Sequence, residues 1–337
     1  MITYYDIISL ENLYLAWAEF IPNKKYKKDI AEFSLNLSKN IFELHDDLKN
    51  KTYGHSSYTA FSINDPKPRD IHKAIVRDRL LHHAVYQVLY PYFDKKFIYD
   101  SYSCRYLKGT HRALDRFKHF YQKASLSNHR TCWVLKCDVR KFFASIDQSI
   151  LMNIIKRHIS DGDIIYLIND VVASFYSTEI GKGLPLGNLT SQLLVNIYMN
   201  EFDQLMKHEL KVKYYIRYAD DFVILSDNKY YLSNILSKID AFLNEKLALK
   251  LHPDKVFIKT FASGVDFLGW VHFPTHRVLR TATKKRMFRN IKIKRGRVGT
   301  IRSYFGLLKH GDAKKLQNKI LQHKNNILGT INFFSKE

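Results

Sequence analysis

Two adjacent aspartates, Asp220 and Asp221, sit between the short apolar runs Tyr214-Tyr-Ile-Arg-Tyr218 and Phe222-Val-Ile-Leu225. Carboxylates held side by side repel unless a cation lies between them. A third, Asp138, ends another apolar run, Trp133-Val-Leu-Lys-Cys-Asp-Val139. If the two runs neighbour each other in a sheet, the three carboxylates converge on a site for two Mg²⁺ ions, with Mn²⁺ as a substitute. Such ions take oxygen ligands and share them with phosphates. A pair of them activates an attacking hydroxyl and steadies a leaving pyrophosphate. The plainer reading of Asp-Asp in a turn is ordinary turn chemistry. The flanking apolar runs and the distant Asp138 weigh against it.

The elements that must present these groups are legible as patterns. Residues 1–60 carry helical spacing over Ser9–Phe20 and Ile41–Leu48, which predicts two helices, and Asp65-Pro-Lys-Pro-Arg69 then interrupts any helix. Arg77 to Tyr92 reads as a helix ended by Pro91. The run at 133–139 reads as a strand, 147–180 as helical, and Gly181–Gly187 as a loop. Asn188 and Thr190 are candidate N-caps for a helix to about Leu210. The runs around Ala219-Asp220-Asp221 form two strands and a tight hairpin. A helix at 231–248, a strand pair at 256–259 and 265–273, and a helical tail broken at Gly296 and Gly299 complete the reading. Helices and strands interleave irregularly, so the fold class is α+β.

Composition narrows the partners. With 46% hydrophobic and 14% aromatic residues in 337, the chain can bury a sizeable core. Its net charge is +22, and from His276 onward 17 Lys/Arg stand against only Asp312 and Glu337. Most of the surplus therefore lies in the last 62 residues, which fits a groove tracking a phosphate backbone. Three cysteines have no metal-site spacing and cannot build a disulfide framework. The N-terminus lacks a signal-peptide pattern, and no run reaches the roughly 18 apolar residues of a membrane span. The expectation is a cytoplasmic protein that engages no membrane.

Tyr218-Ala219-Asp220-Asp221 together with Asp138-Val-Arg-Lys-Phe-Phe143 resembles the active site of reverse transcriptases. Lys67-Pro-Arg69 with Val76–Leu80, and Asp100–Arg105 with Lys108–His111, resemble blocks of the family's bacterial members. So do Leu184-Pro-Leu-Gly-Asn-Leu-Thr-Ser-Gln192, Leu251-His-Pro-Asp-Lys255 and Phe267-Leu-Gly-Trp270. The blocks run in order over about residues 60–275. The resemblance implies a right-hand polymerase fold. It would comprise an N-terminal helical extension (1–60), fingers (61–130 with 148–185), palm (131–147 and 186–275) and a basic thumb (276–337). It implies that Asp138 and Asp220 bind the metals with the Val139 carbonyl, and that Asp221 supports them. Lys67 and Arg69 would hold the incoming triphosphate and Phe143 would gate against a 2′-hydroxyl. Lys255 would lie near the pyrophosphate, and Phe267, Leu268, Gly269 and Trp270 would grip the primer.

Most reverse transcriptases carry Gln where Leu186 stands and Pro where Gln192 stands. This departure resembles the enzymes of diversity-generating retroelements and implies error-prone copying, since a pocket with fewer polar constraints discriminates by shape alone. Ala219, by contrast, is more typical of group II intron and retron enzymes. Only about 60 residues follow the palm, little for both a thumb and a splicing domain, and no retron Val-Thr-Gly signature follows the grip. A defence-associated, antiviral bacterial reverse transcriptase remains an alternative, as do an RNA-dependent RNA polymerase, disfavoured by Phe143, and a non-catalytic RNA-binding scaffold. The implied partners are an RNA template, a DNA or RNA primer, deoxynucleoside triphosphates, a small helical accessory protein and a structured non-coding RNA.

Overall fold

The computed structural model describes residues 2–64, 68–294 and 296–322. Four short helices open the chain: α1 (Tyr4–Ile8), α2 (Leu10–Phe20), α3 (Lys28–Leu35) and α4 (Leu37–Lys49). They are four, where spacing alone predicts two, because polar caps subdivide the pattern. The Thr3 hydroxyl accepts the Asp6 amide while the Asp6 carboxylate accepts the Thr3 amide, and Ser9 accepts the Asn12 amide to restart the chain as α2. The exposed hairpin of β1 (Thr59–Ile63) and β2 (Arg69–Lys73) follows, with Phe61 opposite Ile71. Helix α5 (Val76–Asp94) carries Pro91 inside it and does not end there. Phe93, 1% exposed, anchors the final turn, and this burial offsets the hydrogen bond that proline cannot donate.

Beyond α6 (Thr110–Ala124) come β3 (Trp133–Asp138), the single turn α7 (Phe142–Ser145), α8 (Gln148–Lys156) and α9 (Gly162–Ala173). The helical stretch expected over 147–180 is thus two helices. Asp147 and Asp161 cap their N-termini, and the Asp161 carboxylate also accepts the Tyr4 amide at 2.7 Å. Helix α10 (Leu189–Gln204) continues as a π turn to Glu209. Asn188 occupies its N-cap position, but its side-chain amide donates to the His72 carbonyl rather than capping the helix.

Strands β4 (Tyr215–Tyr218) and β5 (Asp221–Ser226), helix α11 (Lys229–Leu247) and β6 (Phe257–Thr260) lead to β7 (Val265–Phe267), β8 (Trp270–His272) and β9 (Arg277–Leu279). The strand expected over 265–273 is two, because Leu268 (φ 51°) and Gly269 (φ 84°) turn the chain between them. Helices α12 (Thr281–Ile293) and α13 (Val298–Leu308) carry the basic tail; Gly296 lies in the break, whereas Gly299 is helical. A four-stranded sheet runs β4-β5-β3-β6, with β3 and β6 antiparallel, beside the β1-β2 pair and the antiparallel β7-β8-β9 sheet. These small sheets and their flanking helices give the mixed architecture that the interleaved pattern predicts. Among the described residues, no helix is long and apolar enough to cross a membrane.

The chain forms two compact units. In the first (residues up to 109, 137–222 and 234–256), α5 packs on α2 and on α10, and α8 packs on α9. Phe202 of α10 meets the Phe222 ring at 5.0 Å. Strand β5 is buried from Phe222 to Leu225 on both faces, so it reads as a continuous apolar run rather than an alternation. The second unit (110–136, 223–233 and from 257) is built around Phe117, Phe261 and Phe267, and Trp270 in it faces Gly311 so closely that a Cβ there would overlap the indole.

One charged pair lies wholly inside the first unit. Arg217 and Asp203 are both 0% exposed. Arg217 donates to the Asp203 carboxylate from Nε (2.8 Å) and Nη2 (2.6 Å), and Tyr215 Oη donates to the same group at 2.7 Å. Removing one partner leaves a buried charge uncompensated. Asp203→Ala is expected to lower unfolding free energy by about 3–5 kcal/mol in urea titration.

Buried imidazoles add a pH dependence. Burial, then His55, His83 and Arg79, push His82 down to about 3; burial, then Lys24 and Arg79, push His83 down to about 4. Both stay neutral in the fold while the unfolded chain takes up protons below about 6.5. Their stabilising contribution is therefore complete above that pH and is lost as acid carries the chain towards the folded values. The urea midpoint should fall between pH 7 and 5, and His83→Gln should make that fall shallower.

Candidate active site

The site is assembled where β3 ends and β4 turns into β5. Asp138 closes β3, and the next amide, Val139 N, donates to the Asp220 carbonyl at 3.2 Å. Residues 250–252 support Asp138 from its other side. Arg140 N donates to the Lys250 carbonyl, His252 N donates to the Asp138 carbonyl, both at 2.8 Å, and Val139 pairs with Leu251 in an antiparallel bridge. The short turn Pro253–Lys255 then delivers Lys255, whose Nζ donates to Asp138 Oδ1 at 2.7 Å.

The hairpin tip is tight. Ala219 has φ 56°, a left-handed conformation that costs a residue with a Cβ about 1–2 kcal/mol. What secures it is Arg217, whose Nη1 donates to the Ala219 carbonyl at 3.1 Å and whose Nη2 donates to Ser101 Oγ at 3.0 Å. Backbone bonds from Arg217 N to the Asp100 carbonyl and from Tyr102 N to the Arg217 carbonyl, each 3.0 Å, fix the same strand. The Asp100–Arg105 block therefore serves the site as scaffold.

Electrostatics at the tip follow from this placement. Burial, and then the nearby Asp138 charge, raise the Asp220 carboxyl above its ordinary value, with Lys255 and Arg69 opposing. Asp138 and Asp220 are thus brought into electrostatic contact, with Lys255 and Arg69 as the cations around them. Asp221 stands half-buried at the head of β5. Among the described residues, no group of three or more His, Cys, Asp or Glu side chains is arranged to hold a metal ion. The convergence of three carboxylates expected from sequence is therefore seen as a pair. The backbone explains it: adjacent residues leading into a strand project to opposite sides.

Beside the tip, a cavity of about 520 Å³ is lined by Phe143, Leu184 and Leu186, with His72 and Phe175 across from them. Its loop is stitched to its neighbours: Leu184 N donates to the Phe143 carbonyl (2.9 Å) and His72 N to the Leu186 carbonyl (3.0 Å). Gln192 is not there. It lines a separate cavity of about 280 Å³ with Arg79, His83 and Asn188. Phe267 and Trp270 lie in the second unit, both almost fully buried, on either side of the Leu268–Gly269 turn. Lys67 lies outside the described residues.

Sequence reasoning misses Arg217, Asp203 and the Lys255–Asp138 pair. A single arginine inside an otherwise apolar strand is the available signal for the first, since such a charge needs a buried partner.

A family model described as reverse transcriptase (RNA-dependent DNA polymerase) matches residues 63–272. Protein YkfC of Escherichia coli (strain K12) is 27% identical over 248 residues, 62% of this chain and 62% of that protein. The group II intron-encoded protein LtrA of Lactococcus lactis is 23% identical over 290 residues, 66% of this chain and 47% of LtrA. The chain thus spans from about half to under two thirds of the length of these relatives. Among solved structures, telomerase from Candida albicans, bound to a fragment of telomeric RNA, shares the fold. It aligns at TM-score 0.56 and 12% identity, covering 88% of this chain and 59% of that one.

Gly187 tests the loop that shapes the cavity. Its φ is +104°, and a Cβ there would stand 2.8 Å from Ile71 Cγ2. Gly187→Ala should cost about 1–3 kcal/mol in urea titration. Adding Ile71→Ala should recover only the part due to contact and leave the backbone strain.

Proposed function

The chain belongs to the reverse transcriptase family, and from that premise we propose that it is an RNA-directed DNA polymerase whose nucleotidyl transfer takes place at Asp138 and Asp220. The observation that carries this reading is the pairing of β3 with the hairpin tip through the Val139–Asp220 backbone bond, which sets two carboxylates within reach of each other's charge. Their donor chemistry, hard oxygens on a rigid support, suits Mg²⁺. Asp138, Asp220 and the Val139 carbonyl would hold it, with Asp221 supporting. The bound ions supply charge neutralisation and a more acidic attacking hydroxyl.

The chain's own residues account for the rest. Arg69, at the head of β2, offers a forked guanidinium to the triphosphate, and Lys67 is its proposed companion. Lys255, ion-paired with Asp138, holds that carboxylate in place and stands ready to donate a proton towards pyrophosphate. Phe143 puts a ring on the wall of the cavity beside the tip, where it excludes a 2′-hydroxyl by bulk. Residues 61–130 with 148–185 act as fingers, 131–147 with 186–275 as palm, 276–337 as thumb, and 1–60 as a helical extension. Phe267, Leu268, Gly269 and Trp270 form the primer grip. The basic helices α12 and α13 meet duplex phosphates, with a salt slope of roughly −0.9 per phosphate neutralised.

Leu186 on the same apolar wall as Phe143 supports low fidelity, and with Gln192 it supports a role in a diversity-generating retroelement served by a structured RNA and a helical accessory protein. Ala219 and the intron-encoded relatives favour a second reading, in which the template is an intron RNA.

Primer extension on an RNA template with Mg²⁺ tests the proposal. Asp220→Ala should lower incorporation on the order of a thousand-fold, and Phe143→Ala should admit ribonucleotides. Equal incorporation by wild type and Asp220→Ala would remove the enzymatic reading. Leu186→Gln should improve fidelity at template adenines by about ten-fold; an unchanged error spectrum would detach the cavity from fidelity.

A further inference from the structure

Away from the carboxylates, the second unit contains a cavity of about 360 Å³, within the range of small-molecule sites. Its inner wall comes from two neighbours in the β7-β8-β9 sheet. His272 on β8 and Arg277 on β9 are direct cross-strand partners, so their side chains leave the same face. His272 is 2% exposed, and its Nε2 has no hydrogen-bond partner among the described residues; the buried Arg277 Nη1 has none either. The remainder of that guanidinium is fixed, with Nε donating to the His310 carbonyl and Nη2 to Asp115 Oδ1 at 3.1 Å. Open polar atoms are costly in a folded interior. Two of them on one cavity wall point to a ligand.

Their chemistry says which kind. Burial and then Arg277 hold the His272 imidazole down at about 3, so the ring is neutral, while a bond to the Phe267 backbone occupies its other nitrogen. Nε2 is therefore an acceptor, and Arg277 Nη1 beside it is a donor. A ring-nitrogen acceptor next to an N–H donor complements the polar edge of a nucleobase, which offers a donor beside an acceptor. Phe261 and Phe273 on the same cavity give the base an apolar surface, and Lys118 and Lys309 supply cations for a phosphate.

We propose that this cavity is a second nucleotide-binding site, taking the base against His272 and Arg277 and the phosphate towards Lys118 and Lys309. The nucleotide is either free or an unstacked member of a bound single strand. The inference does not depend on the polymerase reading, because neither the Asp138–Asp220 pair nor Arg69 enters it.

The experiment is calorimetric titration of the full chain in an Arg69→Ala background, with adenosine 5′-monophosphate and separately with a 5′-phosphorylated oligoadenylate. Saturable binding should persist in that background. His272→Leu should weaken it about ten-fold or more, and Lys118→Glu with Lys309→Glu several-fold. The lysine pair is exposed, so its effect stands even if His272→Leu folds poorly. Dependence on these residues with the mononucleotide identifies a free ligand; the same dependence with the oligonucleotide alone identifies a strand nucleotide. Binding that vanishes with Arg69→Ala, or that ignores all three substitutions, overturns the proposal. Since no incorporation is read, this failure is distinct from failure of the polymerase reading.

Discussion

The Asp138 and Asp220 carboxylates are kept together against their mutual repulsion, and much of the surrounding structure can be understood as meeting that cost. Burial and a like charge both disfavour ionisation of Asp220, so the arrangement persists only because covalent and hydrogen-bonded geometry leaves it no alternative. The Val139–Asp220 backbone bond ties the two segments, the 250–252 segment backs Asp138, and Lys255 balances one of the charges. A family whose chemistry needs cations between carboxylates requires this kind of poised repulsion.

Beneath the tip, Arg217 links stability to geometry. Its guanidinium is the only strong positive charge described at 0% exposure, and it is fully spoken for by Asp203, Ser101, Asn196 and the Ala219 carbonyl. An apolar core could be as stable. It could not hold the Ala219 carbonyl, and so could not fix the left-handed residue on which the direction of Asp220 depends. The neutral histidines at 82 and 83 belong to the same unit but contribute differently, through a pH-dependent term with no part in orienting the tip.

Local patterns announced the strands at 133, 215 and 221, the loop before α10 and the turn with Asp220, because each is governed by side-chain alternation or turn chemistry. Three other features were hidden because distant partners decide them. Pro91 stays helical because Phe93 is anchored from elsewhere in the fold, and the strand at 265–273 divides at Leu268 and Gly269, of which only the glycine carries a turn signal. Gln192 fell on the far side of Gly187 from Leu186, although the two are close in the motif, because α10 begins between them. The buried Arg217–Asp203 pair was least legible of all: 14 residues separate its members, and neither is remarkable in its local pattern.

The account rests on a cation seated between Asp138 and Asp220, and Fe²⁺-directed backbone cleavage measures that seat directly. With Fe²⁺ in place of Mg²⁺, cuts should appear together around residues 138–140 and 218–221, be suppressed by excess Mg²⁺, and disappear at both positions in Asp220→Asn. Cuts confined to other segments, or surviving that substitution at either position, would contradict it.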